Sequence, residues 1–193
     1  MGTQPGMDAI TLLKTDHRDV ESLFKKFEAA GPKARKTKQQ VVKRIIEELA
    51  RHAAIEEQVF YPAVRKGVPA ATDDVLESLE EHHVVKWTLS ELQDLTADDE
   101  RFTAKATVLI ESVRHHVREE EGELFPKVRA ALSRSELQTL GSQLADAKRV
   151  APTRPHPRSP DTPPGNTMVG AVAAGLDRAR RTGKGAVDRI AQR

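Results

Sequence analysis

The chain of 193 residues has no cysteine. That single absence excludes disulfides, thiolate-bound zinc and cysteine nucleophiles. Any metal must therefore be held by histidine and carboxylate. Aromatic residues are also scarce, at 4% with one Trp and one Tyr, whereas charged residues reach 31%. This composition suits a charged helical bundle and not a β-sandwich, so the expected class is all-α. No stretch approaches the roughly 20 apolar residues of a membrane span. The start, MGTQPGMDAI, has neither the basic nor the apolar region of a signal peptide, and Gly6 stands where a myristoylation signal would need Ser or Thr. A cytoplasmic protein with no integral membrane association is expected.

The formal net charge is only +2. It is unevenly spread: from Val150 onward there are eight Lys/Arg against three Asp, leaving 23 against 26 before it. The main body is thus slightly acidic and carries no broad basic footprint, so no nucleic-acid partner is expected. A length of this order supports one core with an appendage.

Apolar residues recur at three- and four-residue spacing in five segments. Asp8 can cap a first helix carrying Ile10, Leu13, Val20, Phe24 and Phe27, which Gly31-Pro32 stops. A second begins near Lys36 with Val42, Ile45 and Leu49, and passes or ends near Pro62. After Gly67 and Pro69 a third begins near Thr72. The pair Asp98-Asp99 starts a fourth, and Ser133 with Glu136 has the capping-box spacing of a shorter fifth that fades after Lys148. Residues 1–149 form the expected main domain. Residues 150–166 read as a proline-rich linker unable to build a core, and 167–193 as a basic, weakly amphipathic, partly disordered tail that is a candidate for docking on a protein partner.

Polar residues interrupt the apolar stripes in a repeated way. His17 to His82 spans 65 positions, while His52 to His116 and Pro62 to Pro126 each span 64. Two helical hairpins are therefore copies of one unit, giving an antiparallel up-down four-helix bundle. Residues four apart on a helix differ by about 40° around its axis, so His52 with Glu56, and His116 with Glu120, each aim an imidazole and a carboxylate in one direction. Counting along each hairpin puts His17 level with His52 and His82 level with His116. Six such groups converging in a core would cost several kcal/mol per unpaired charge, a conflict that a metal centre resolves. The donor set suits iron, manganese or zinc. One zinc would use three or four of the groups, whereas two ions sharing two glutamate bridges use all six.

The segments LLKTDHRDV, HAAIEEQVFYP, LEEHHVVKW and HHVREEEGELFP resemble the hemerythrin-like, His-His-Glu cation-binding domain over about Asp8 to Ala131. The resemblance implies two non-haem iron ions with an oxo or hydroxo bridge, manganese or zinc being less favoured. It implies His17 and His52 on one iron, His82 and His116 on the other, and Glu56 and Glu120 bridging. It also implies a ligand such as O2, peroxide or NO, in stress response or sensing, with catalase- or peroxidase-like turnover left open. The alternative is an iron-storing or metal-responsive module acting through its tail. One departure stands out: oxygen-carrying hemerythrins have a further histidine where this chain has Lys86, which counts against reversible oxygen carriage.

The neighbours receive blander expectations. His83 and His115 point about 100° away from His82 and His116 and read as flanking residues. Lys86 reads as a snorkelling surface lysine, Tyr61 as a packing residue facing away from the core centre, and His156 as solvated.

Overall fold

A computed structural model describes residues 7–160, together with 165, 174, 175 and 177. Helices α1 (Ala9–Ala29) and α2 (Arg35–Ile55) form one hairpin, and α4 (Thr72–Gln93) and α5 (Phe102–Glu119) the other. No strand occurs among the described residues. The expected cap of α1 is present, with Asp8 Oδ1 accepting from the Thr11 amide at 3.0 Å. The Asp98-Asp99 pair acts differently from expectation. Asp99 Oδ2 is turned back to the Thr96 amide and hydroxyl, at 2.6 and 2.8 Å, and Asp98 pairs with Arg35 across the two hairpin turns. Helix α5 consequently starts only at Phe102, with Arg101 at its N-cap.

Neither Pro62 nor Pro126 ends its helix. Each follows a five-residue π turn, Glu56–Phe60 and Glu120–Leu124, and sits in the first turn of a short continuation, α3 (Tyr61–Gly67) and α6 (Phe125–Ala131). Proline has no N–H to give to the carbonyl four residues back and crowds it. Those carbonyls belong to Gln58 and Gly122, inside the widened turns. A π turn closes with one more residue than an α turn, so it rotates everything beyond it back by about 100°.

Helix α7 (Arg134–Val150) follows and carries the expected capping box of Ser133 and Glu136. It runs two residues past the expected end at Lys148 and packs beside α1. Contact is close because Gly141 has no side chain: a Cβ there would fall onto the Met7 carbonyl and the Ala9 amide.

Apolar packing is split into two cores. One, near the hairpin turns, gathers Phe24, Ile45, Leu89, Phe102 and Leu109. The other gathers Leu13, Ile55, Phe60, Val75, Phe125 and Leu144. His17, His52, His82 and His116 lie between these cores along their helices, so the polar layer is sealed above and below. Part of the linker also joins the bundle. Pro152, Thr153 and Pro155 are buried, and the Thr153 amide donates to Asp177 Oδ2 at 3.1 Å. Pro152 and Pro155 cover a face formed by Ala50, Ala53 and Ala54 of α2. The expected tail over 167–193 lies outside the described residues except at Ala174, Gly175 and Asp177.

Candidate metal centre

All six residues singled out by the repeat are buried, with exposures of 6% or less. His17 comes from α1, His52 from the last turn of α2, His82 from α4 and His116 from α5, while Glu56 and Glu120 each open a π turn. The imidazoles form two pairs. Nε2 of His17 is 3.1 Å from Nε2 of His52, and Nε2 of His82 is 3.2 Å from Nε2 of His116. The glutamates connect the pairs. Glu56 Oε2 lies 3.1 Å from His52 Nε2 and 3.4 Å from His82 Nε2. Glu120 Oε2 lies 3.4 Å from His17 Nε2 and 3.8 Å from His116 Nε2.

Each histidine also has a carboxylate behind it. Nδ1 of His17 meets Glu121 at 2.8 Å, that of His82 meets Glu57 at 3.2 Å, and that of His116 meets Glu81 at 2.7 Å. His52 is the looser member, its Nδ1 standing 3.6 Å from Asp16, whose other oxygen takes Lys148. A carboxylate accepts the Nδ1 proton of a neutral imidazole and leaves the lone pair on Nε2. Two Nε2 lone pairs then face one another in each pair, beside carboxylate oxygens. Both oxygens of Glu56, and Oε2 of Glu120, have no hydrogen-bond partner. Buried acceptors facing acceptors require a cation between them.

The electrostatics carry the same message. Burial opposes a charged His52, but the Glu56 and Asp16 carboxylates override it and push the imidazole up to about 10. Burial likewise opposes a charged His82, yet the neighbouring Glu56 and Glu57 carboxylates raise it to about 9. Burial would raise the Glu56 carboxyl, and the His52 and His82 imidazoles beside it hold it well below its ordinary value. The cavity is thus built to retain positive charge, which protons or metal ions can supply in competition. Two buried groups of donor atoms, each lying within 4.8 Å of one another, could hold a metal ion: His17, His52, Glu56 and Glu120, and Glu56, His82 and His116; a third such group, Glu81, His115 and Glu119, lies outside them and is partly exposed. Glu56 belongs to both, and the donors fit a pair of borderline cations.

Several neighbours differ from expectation. Tyr61 faces inward, with 1% exposure, because the π turn before it resets the register. Its hydroxyl donates to Glu120 Oε1 at 3.0 Å and lies 3.4 Å from His82 Nε2. Burial and the Glu120 and Glu56 charges hold its phenol well above the usual range. The equivalent residue of the second half is Phe125, stacked on His17 at 5.9 Å. Lys86 is buried and not a surface lysine: its Nζ is 2.9 and 3.1 Å from the two oxygens of Glu57, whose charge compensates its desolvation. His156 is half-buried, 3.6 Å from Asp177, and not freely solvated. His83 and His115 do flank the layer as expected, against Trp87 at 3.1 Å and Glu119 at 3.1 Å.

A cavity of about 640 Å³ reaches this layer from the side where α1 and α5 face each other, and all four histidines line it. Among the described residues no helix is long and apolar enough to cross a membrane.

Comparison with known proteins agrees with this geometry. The model of the hemerythrin HHE cation-binding domain matches residues 8–128. An uncharacterized hemerythrin-like protein of Schizosaccharomyces pombe is 32% identical over 166 residues, covering 86% of this chain and 81% of that protein. A DNA nickase of Nostoc sp. is 27% identical over 142 residues, 74% of this chain but only 39% of that protein. The crystal structure of a hemerythrin HHE cation-binding domain-containing protein from Mycobacterium kansasii superposes with a TM-score of 0.64 at 24% identity, covering 74% of this chain and 86% of that one. With its duplicated histidine hairpins and a matching family model over most of its length, the chain belongs to the hemerythrin HHE cation-binding domain family.

Proposed function

We propose that this chain is a cytoplasmic non-haem di-iron protein that binds or reacts with O2, peroxide or NO. His17 and His52 would hold one iron, His82 and His116 the other, and Glu56 and Glu120 would bridge them. One observation carries the reading: two pairs of opposed Nε2 atoms at 3.1 and 3.2 Å have a glutamate oxygen of each bridge lying between a histidine of one pair and a histidine of the other. Iron bound there supplies the redox chemistry and the open coordination positions for a small ligand.

The chain supplies the rest. The outer carboxylates fix the histidine tautomers, Tyr61 holds Glu120 through its hydroxyl, and the two apolar cores close the layer above and below, leaving the cavity between α1 and α5 as its approach. Lys86, tied to Glu57, fills the place where oxygen carriers have another ligand. The centre is therefore better suited to reaction or sensing than to reversible carriage.

The test is metal content and the optical spectrum of the aerobically purified protein, beside a His52→Ala, His116→Ala double variant, followed by assays of peroxide and NO consumption. About two irons per chain with an absorption band in the near ultraviolet, both lost in the variant, are expected. Protein that holds only zinc, or nothing, after anaerobic iron loading would overturn the reading.

The second reading is an iron-storing or metal-responsive module acting through the tail. It is favoured by the linker, which covers α2 next to Glu57 and Lys86, the residues behind His82. It requires that metal change hydrogen exchange over 151–177 without peroxide consumption. Exchange that is indifferent to metal excludes it.

A further inference from the structure

The cavity is far larger than its small ligands need. A diatomic or a peroxide requires about the 30 Å³ of a water molecule, and two ions with their bridges add only a few such volumes. The cavity measures about 640 Å³, within the roughly 300–1,000 Å³ of sites that take small organic molecules. Protein interiors rarely leave such space without use. Beside the four histidines its inner wall is apolar, formed by Val20, Phe24, Leu49, Val85 and Val113.

The mouth has the opposite chemistry. Lys14 is matched by Glu121 at 3.0 Å, and Arg114 by Glu21 at 2.9 Å and Glu28 at 2.7 Å. Between those bridges along α1 and α5 stand Arg18 and Arg118, both lining the cavity and both exposed. Arg18 donates to the neutral Thr15 hydroxyl at 2.8 Å. Among the described residues neither guanidinium is paired with a carboxylate. The mouth is also kept clear, because Gly122 lines it and a Cβ there would meet nothing within 4 Å. The equivalent residue of the first half is Gln58, and on that side Pro152, Pro155 and Pro160 leave only about 40 Å³. Two related halves thus differ in a way that opens one approach and fills the other.

We propose that this cavity binds an amphipathic monocarboxylate of the fatty-acid class, with its carboxylate at Arg18 and Arg118 and its chain along Val20, Phe24 and Val113. Two guanidiniums on one cavity's rim suit a planar carboxylate, and the wall behind them suits a hydrocarbon. As a statement about what the metal centre meets, the proposal rests on the di-iron reading. Binding itself needs no iron, so the two can fail separately.

The test uses the full chain, with and without iron loading, titrated with dodecanoate below its micellar range and followed by calorimetry and by displacement of a fluorescent fatty acid. Saturable binding of one dodecanoate per chain is expected, at least tenfold tighter than dodecanol or dodecyltrimethylammonium. An Arg18→Gln, Arg118→Gln variant should lose at least tenfold for dodecanoate, keep its weak affinity for dodecanol, and retain its iron content. Val113→Trp, checked for an intact melting transition, should abolish binding by filling the cavity. No saturable binding, equal affinity for the uncharged or cationic probe, indifference to the paired arginine changes, or binding that survives in a folded Val113→Trp protein would each overturn the proposal. Iron without dodecanoate binding removes this proposal alone, and dodecanoate binding without iron removes the di-iron reading alone.

Discussion

At the scale of the residue, each of the four buried histidines divides its ring between two tasks, Nε2 turned to the shared centre and Nδ1 turned to a carboxylate. That division explains why Asp16, Glu57, Glu81 and Glu121 matter although none lies in the two buried donor groups. Glu81→Gln keeps the shape behind His116 but offers an amide where an acceptor charge stood 2.7 Å from Nδ1. It should weaken metal binding about 10–100-fold, read by titration against a competing chelator. Unchanged affinity would mean that something else sets the His116 tautomer. The six central residues were legible from sequence because helical spacing and duplication place them without reference to any neighbour. The outer carboxylates repeat too, Asp16 to Glu81 at 65 and Glu57 to Glu121 at 64, so the signal was there. Tyr61 and Lys86 were illegible for physical reasons: one depends on a change of helical register, the other on a partner from a different helix.

At the scale of the element, the helix starts and breaks were largely readable from Asp8, Gly31, Thr72 and the Ser133–Glu136 box. What could not be read was how the chain would treat proline after His-x3-Glu. A helix that stops and a helix that widens for one turn and continues have the same local sequence pattern, and only the second rotates Tyr61 and Phe125 inward. The close approach of α7 to α1 is similarly invisible in periodicity and depends on Gly141. Gly141→Ala should cost about 1–3 kcal/mol by forcing backbone apart, since the added methyl meets main-chain atoms of Met7, Asp8 and Ala9 that have no rotamer to escape into. For a chain of this size that corresponds to about 2–4 °C of Tm per kcal/mol, measured by thermal unfolding. A melting point within 1 °C or so of the parent's would show that the N-terminal end of α1 gives way freely.

At the scale of the whole molecule, the notable arrangement is a polar layer between two separate apolar cores. Folding buries its carboxylates and imidazoles whether or not metal is present, so the layer is a liability that metal converts into a clamp. Ligand that binds only the folded chain adds about 4.1 kcal/mol when its free concentration is a thousand times its dissociation constant. Stripping metal with a chelator should therefore lower Tm by about 8–16 °C, and His52→Ala should lose most of that dependence. A melting point indifferent to chelation would mean that the layer is satisfied by protons alone. The linker adds a second closure, packing Pro152 and Pro155 against α2 where composition had suggested free chain. Buried proline needs no hydrogen bond at its nitrogen, so a segment poor in apolar side chains can still cover a helix.

The two π turns are the places where this chain tolerates a change of length. Each holds one residue more than an α-helical turn would, so removing Gln58 would let the backbone settle into an uninterrupted α-helix with better local bonding. The lost residue and the lost widening cancel, so Tyr61 keeps its direction toward Glu120 and Val64 its place in the core. The same deletion made earlier in α2 would have no such compensation and would turn all that follows by about 100°. Each π turn thus acts as a slack loop in a rope, one residue that can be drawn out without moving what lies beyond it.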